Sequence, residues 1–128
     1  MPFPTIWSKF VRFGRWAEIS GAEYLRSRGY RILASRYRVR EGEIDIVARD
    51  GECLVFVEVK ARRNDKHPED AVNAGKQRRI IRAARQYRSS HQVVDMPYRF
   101  DILTLSGSKT DNSGFRLIKD AFREFPEY

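Results

Sequence analysis

Four charged residues interrupt two apolar runs in the segment GEIDIVARDGECLVFVEVKAR, residues 42–62: Glu43, Asp45, Glu58 and Lys60. Such runs are typical of buried strands, and a buried charge is costly unless another group pairs with it. Carboxylate oxygens are ligands that Mg²⁺ prefers. The segment therefore indicates either a divalent-metal site or a structural network of ion pairs.

The turn between the two runs decides which side chains meet. Asp50-Gly51 is a strong signal for a two-residue hairpin turn, which would place Asp45 opposite Phe56 and Glu43 opposite Glu58. Side chains alternate between the faces of a sheet, so one face is expected to carry Glu43, Asp45, Phe56, Glu58 and Lys60. Facing carboxylates destabilise a sheet, and either a cation or a bridge from Lys60 could offset that repulsion. Both readings stay open on geometry alone.

The remaining pattern predicts the elements that must position these groups. A helix is expected from about Gly14 to Arg28, with Glu18 on its inward stripe, and a second helix from Gly75 to Ser89 after an N-cap near Asn73. Five strands are expected at 30–38, 43–49, 52–60, 98–105 and 115–122. The order predicts a single α/β domain, 14–128, with a mixed central sheet of about five strands flanked by helices. Residues 1–13 are expected to form an N-terminal arm, whether flexible, at the surface or in a dimer contact.

The amino-acid composition limits the classes of molecule that the protein is expected to bind. The 128-residue chain has 25 Lys and Arg against 17 Asp and Glu, a net charge of +8, which favours a polyanionic partner such as nucleic acid. A single cysteine, Cys53, excludes an internal disulfide and offers no zinc spacing. No apolar run approaches the roughly 18 residues of a membrane span. We therefore expect a cytoplasmic protein that binds nucleic acid and no membrane.

Basic residues bracket the acidic segment and could contact phosphates. They are Arg36, Arg38, Arg40, Arg62, Arg63 and Lys76. For the first three the alternative is an edge strand protected by charge. For Lys76, near the start of the second helix where free N–H groups favour anions, the alternative is a solvated helix residue.

The motifs resemble a known family. GEIDIVARDG, VFVEVKAR, Lys76 heading a helix and RFDILTL occur in the order found in the YraN-like family of bacterial proteins. Asp45 followed by Glu58-Val59-Lys60 also resembles the signature of the PD-(D/E)xK nuclease superfamily. The resemblance implies a restriction-endonuclease-like fold related to archaeal Holliday-junction resolvases. One departure is Arg36, where the family usually has Asn.

The resemblance also implies roles for individual residues. Asp45, Glu58 and the backbone carbonyl of Val59 would hold Mg²⁺ or Mn²⁺, Lys60 would orient or activate the attacking water, and Glu18 would complete the site, with Glu43 in support. The implied activity is metal-dependent cleavage of DNA phosphodiesters, with branched or junction DNA as a candidate substrate, and related resolvases make a homodimer an expectation. Two alternatives remain: a catalytically inactive nucleic-acid-binding module, and a protein-interaction factor with a basic surface.

Overall fold

Two helices and five strands follow one another in the predicted order. The computed structural model describes residues 5–62, 72–106 and 114–124, and the side chains of 14–61, 72–105 and 114–124. The elements are α1 (Thr5–Ser27), β1 (Arg31–Val39), β2 (Gly42–Asp50), β3 (Cys53–Arg62), α2 (Ala74–Ser90), β4 (Tyr98–Ser106) and β5 (Phe115–Phe122).

The strands form one mixed sheet in the order β1-β2-β3-β4-β5. Only the β3–β4 pair is parallel, and the other three pairs are antiparallel. Parallel neighbours need a long crossover, and α2 lies in the chain between these two strands. The predicted single-domain α/β fold with a five-stranded mixed sheet is confirmed.

Each face of the sheet is covered by one helix. Residues of α1 share a core with Ile46, Val55, Val57 and Leu103, whereas residues of α2 pack with Val47, Phe56, Phe100 and Ile102. The alternation of β3 explains the division, because its odd-numbered residues face α1 and its even-numbered residues face α2. Glu58, an even-numbered residue of β3, therefore belongs to the face that α2 covers.

Helix α1 approaches the sheet closely, as its small residues predict. A Cβ atom on Gly21 would lie 3.0 Å from Leu103 Cδ2, which is tighter than ordinary packing. The predicted start of this helix at Gly14 is wrong, since α1 begins at Thr5. One glycine inside a helix costs only about 1 kcal/mol relative to alanine, so Gly14 does not end it.

The predicted hairpin register is also wrong, although the hairpin itself is confirmed. Asp50 pairs with Cys53, so the two loop residues are Gly51 and Glu52 rather than Asp50 and Gly51. Gly51 has φ +61 at the first loop position, where a type II′ turn favours glycine. Asp50 stays in the strand, and its Oδ2 accepts a hydrogen bond of 2.9 Å from Arg99.

The correction moves β3 by two residues relative to β2. Arg49 pairs with Leu54 instead of Glu52. A shift of two residues keeps every side chain on its face, unlike a shift of one. Asp45 consequently moves from opposite Phe56 to the level of Glu58, so the two acids come closer together than the predicted register allowed.

Candidate metal centre

The acidic site lies where β2 and β3 separate. Their ladder runs from Asp50–Cys53 to Ile46–Val57 and ends there. Strand β3 nevertheless stays paired with β4 as far as Arg62–Ser106. Asp45 is the first β2 residue beyond the ladder, so its side chain can enter the gap that opens between the two strands.

The side-chain alternation of β2 is interrupted at the same place. Ile44 and Val47 are three residues apart, yet both belong to the core on the α2 side, which a regular strand does not allow. The neighbouring strand β1 is irregular as well, since Arg36 has φ +54. The alternation is therefore broken between Ile44 and Val47, in the stretch that contains Asp45.

Asp45 is fixed by the backbone of β3. Its Oδ2 accepts a hydrogen bond of 2.8 Å from the amide of Val59. The carboxylate thus satisfies a β3 amide just past the end of the β2–β3 ladder, where an open sheet would leave it unpaired. The sequence prediction named the carbonyl of Val59 as a ligand and missed its amide, because the end of a ladder leaves no signal in residue types.

Glu58 is the most deeply buried acid of the site. The residue is 3% exposed, and its Oε1 has no hydrogen-bond partner among the described residues. Burial, the charge of Asp45 and a hydrogen bond with Asp45 raise the pKa of Glu58 to about 8, while the charges of Lys76 and Lys60 oppose the rise. A buried oxygen without a partner is costly, and it leaves one carboxylate lone pair available to a cation.

Lys76 enters the site from α2. Its Nζ lies 3.2 Å from Glu43 Oε1 and 3.7 Å from Glu58 Oε2. Burial alone would lower the pKa of this ammonium, but the charge of Glu58 and the hydrogen bond to Glu43 raise it. The hydrogen bond from Lys76 likewise lowers the pKa of Glu43. Lys76 is therefore part of the acidic cluster rather than a solvated helix residue. Its contact with phosphate stays a prediction.

Two local features hold Lys76 in this place. Asn73, the predicted N-cap of α2, accepts a hydrogen bond of 2.9 Å from the Lys76 amide through its Oδ1. Gly42 lets α2 approach β2, because a Cβ atom there would lie 2.0 Å from the carbonyl oxygen of Arg79. The sequence prediction did not assign Gly42 a role, although a glycine inside a strand often marks a close backbone approach.

Glu18 comes from α1 and is ion-paired with an arginine of β1. The carboxylate pairs with Arg36 at 3.7 Å. Burial, followed by the charge of Asp45, raises its pKa. The inward orientation predicted for Glu18 is thus consistent with a side chain that is only 23% exposed. Its role in completing the site stays a prediction.

Lys60 follows Glu58 on β3 and lies beside Thr104 of β4. Among the described side chains, the ion-pair partner of Glu58 is Lys76, and Lys60 forms no ion pair with either Asp45 or Glu58. If the acids only formed a structural ion-pair network, Lys60 was expected to bridge them. The structure instead pairs Glu58 with Lys76. Lys60 is left with its ammonium uncommitted to these acids.

Two carboxylates, Asp45 and Glu58, form the core of the site. Over the described residues, no group of three His, Cys, Asp or Glu side chains converges tightly enough to hold a metal ion. Mg²⁺ needs fewer protein ligands than that, since it keeps several waters and commonly binds one or two carboxylates together with substrate phosphates. The buried, unpartnered Oε1 of Glu58 beside a second carboxylate fits such an ion.

Two of the basic residues that were predicted to contact phosphates form ion pairs with acids instead of standing free. Arg36 pairs with Glu18, and Arg38 Nη1 lies 3.3 Å from Glu43 Oε2. Arg40 is exposed in the turn after β1. The side chain of Arg62 and the whole of Arg63 lie outside the described residues. The arginines of α2 were expected to spread over several faces, and the structure leaves four of them exposed: Arg78, Arg79, Arg82 and Arg85.

The protein is thus a single α/β domain with a helix on each face of a mixed sheet. A buried glutamate and a half-buried aspartate lie where two of its strands diverge. Comparison with known proteins defines its family. The model of "Uncharacterised protein family UPF0102" matches residues 17–105, a range that includes every acid and lysine of the site. The chain belongs to this family, which is the YraN-like family whose motifs it carries.

Relatives match over most of their length. A UPF0102 protein of Syntrophus aciditrophicus is 46% identical over 114 residues, which cover 88% of this chain and 89% of that protein. One from Hahella chejuensis is 40% identical over 95% of this chain and 98% of its own length. One from Symbiobacterium thermophilum is 43% identical over 87% and 96%, respectively.

Neither of the two helices within the described part of the chain is long and apolar enough to cross a bilayer.

Proposed function

We propose that this protein is a divalent-metal-dependent nuclease that cleaves DNA phosphodiester bonds. The observation that carries the proposal is the pair formed by the half-buried Asp45 and the buried Glu58 at the divergence of β2 and β3. Glu58 is 3% exposed with an oxygen that lacks a partner, and its pKa is raised to about 8 by burial and by Asp45. A fold keeps such an arrangement at a cost in stability, which a bound cation would offset.

Each residue of the site has a separate role in the proposed cleavage reaction. Asp45 and Glu58 would hold Mg²⁺ or Mn²⁺, with the Val59 carbonyl as a third ligand. When bound, the ion would supply positive charge for the phosphodiester transition state and acidity for the attacking water. Lys60, whose ammonium is not paired with either acid, would orient that water for in-line attack. Glu18, which pairs with Arg36, would be the helix-borne acid that completes the site.

DNA is proposed as the substrate because of charge. The net charge is +8, and the exposed arginines of α2 lie on the helix that delivers Lys76 to the acids. Phosphate contacts of this kind are independent of sequence. Action on bacterial DNA would place the protein in the cytoplasm, and two copies acting together on a branched substrate is the assembly that the resemblance to resolvases suggests.

A cleavage assay tests the proposal. The protein would be incubated with branched, duplex and single-stranded DNA in Mg²⁺, in Mn²⁺ and in EDTA. We expect cleavage of at least one substrate in metal only, and its loss in Asp45→Asn, because asparagine retains an oxygen for the Val59 amide but loses the charge. DNA binding without cleavage by the parent would favour an inactive binding module, and absence of both would favour a protein-interaction factor.

Lys60→Met separates catalysis from metal binding. The change removes the ammonium while leaving both carboxylates in place. If Lys60 orients the nucleophile, cleavage should fall by about 100-fold or more, in the range of general acid–base effects, while Mn²⁺ affinity stays within about threefold. Equal losses of cleavage and Mn²⁺ affinity would contradict this role and assign Lys60 to the integrity of the site.

A further inference from the structure

Lys76 has a fixed backbone and a side chain placed between two acids of unequal depth. The Asn73 cap holds its amide at 2.9 Å. Its Nζ is 3.2 Å from Glu43 Oε1 but 3.7 Å from Glu58 Oε2. The shorter contact is a hydrogen bond, whereas the longer one is beyond good hydrogen-bond length. Lys76 therefore holds Glu43 by a hydrogen bond and Glu58 by charge alone.

The two acids differ in how much they depend on this ammonium. The Glu43 side chain is 28% exposed and also pairs with Arg38 at 3.3 Å. The Glu58 side chain is 4% exposed, and among the described residues Lys76 is its one ion-pair partner within reach. An unpaired buried carboxylate is strongly unfavourable. In the protein without metal, Lys76 is thus the cation that compensates Glu58 when this carboxyl group is ionised.

We infer that Lys76 is an internal counter-ion that a divalent cation displaces from Glu58, and that Glu43 holds the ammonium after displacement. The inference rests on the proposed metal site. A divalent ion on Glu58 would repel an ammonium nearby, and this repulsion is strong at low effective dielectric. Because Glu43 is already hydrogen-bonded to Nζ, a rotation of the side chain is enough to lengthen the contact with Glu58. The backbone of α2 does not have to move.

Glu43 acts in this scheme as a positioning residue rather than as a metal ligand. It lowers the free energy of the displaced Lys76 ammonium and so increases the affinity of the site for the metal ion. Removing Lys76 should abolish the influence of Glu43 on metal affinity, since Glu43 then has no ammonium to hold. A ligand role for Glu43 predicts instead that its influence persists without Lys76.

Calorimetric titration with Mn²⁺ at pH 8 tests both statements in one double-mutant cycle. The variants are Lys76→Met, Glu43→Gln and the double variant, with Lys119→Met as the matched control. Lys119 is an exposed lysine that pairs with Asp50 at 3.6 Å and lies on β5, away from the site. It reports the effect of losing one positive charge as such.

Titrations in buffers of different ionisation enthalpy give the number of protons that Glu58 releases, and the affinities are corrected for it. After this correction, Lys76→Met should bind Mn²⁺ about tenfold more tightly than the parent, because one competing charge is gone. Glu43→Gln should bind more weakly than the parent, and the double variant should match Lys76→Met. Lys119→Met should stay within about twofold of the parent. Lys76→Gln, a second neutral side chain, should reproduce the gain if the methionine variant folds poorly.

The possible failures are separable. If neither the parent nor any variant binds Mn²⁺, the proposed metal site itself is wrong. If the parent binds Mn²⁺ but both neutral variants at position 76 bind no more tightly, the site stands and the counter-ion role of Lys76 is overturned. If Glu43→Gln weakens binding equally with and without Lys76, Glu43 is a ligand and not the resting place of the ammonium.

Discussion

At the scale of single residues, Glu58 is the acid whose ionisation is most opposed by its surroundings, because it is buried beside a second carboxylate. Burial and Asp45 raise its pKa to about 8 from the usual 4.5 of a glutamate. A carboxyl group with a raised folded-state pKa binds its proton more tightly when folded. The stability it contributes is present below pH 4.5 and is lost as the pH rises through about 8.

Glu58→Gln should therefore remove a pH dependence. Without metal, the parent should lose stability between pH 5.5 and 8, by up to about 1.4 kcal/mol per pH unit at the steepest. Four acids have lowered pKa values, and they gain their stability at lower pH and do not cancel this loss: Glu43, Asp50, Asp120 and Glu124. Glutamine mimics the protonated carboxyl and should flatten the profile. Urea unfolding at several pH values in EDTA measures it, and equal slopes in both proteins would contradict the raised pKa.

At the scale of elements, strand and helix order follows from the sequence because hydrophobic periodicity is strong. The five strands and α2 lie within two residues of their predicted positions. The predicted turn differs from the observed one by one residue because Asp50 suits a turn equally well. Its partners Arg99 and Lys119 are distant in sequence and leave no local signal that Asp50 belongs to the strand. The prediction that Asp45 and Glu58 lie close together still holds, because the register of β3 against β2 changes by two residues, an even number.

The parts of the site that sequence did not predict depend on contacts between distant elements. Lys76 meets Glu43 and Glu58 because α2 approaches β2 at Gly42. No local pattern specifies that approach. The break in alternation at Asp45 is equally nonlocal, since it accompanies the irregularity of β1 at Arg36.

Gly42→Ala tests how α2 positions the site. The new methyl group would lie 2.0 Å from the Arg79 carbonyl oxygen, so the helix must shift, at a cost of about 1–3 kcal/mol or more. The melting temperature should fall by several degrees, and Mn²⁺ affinity should change because Lys76 moves with α2. Gly14→Ala is the control: nothing lies within 4 Å of its added Cβ, and α1 should gain about 0.5–1 kcal/mol. Equal melting temperatures for Gly42→Ala and the parent would contradict the close approach.

At the scale of the whole molecule, the charge of +8 predicts binding that depends on salt. If four phosphates are contacted, DNA affinity should fall about 100-fold between 50 and 200 mM salt. Arg78 and Arg82 are exposed one turn apart on α2, and changing both to Gln should reduce the slope of log affinity against log salt by about 2. Arg123→Gln, at an arginine already paired with Asp120 at 2.7 Å, is the control. Fluorescence anisotropy measures the slopes, and an unchanged slope in the double variant would place the DNA on another surface.

The central claim, that Asp45 and Glu58 hold a divalent cation, is tested most directly by calorimetric titration of the metal-free parent with Mn²⁺ at pH 8, beside Asp45→Asn and Glu58→Gln. Binding should saturate in the parent and release protons, because Glu58 must ionise. Both variants should lose the binding while keeping a cooperative thermal transition. The absence of Mn²⁺ binding by the parent, or its persistence in both variants, would contradict the metal centre.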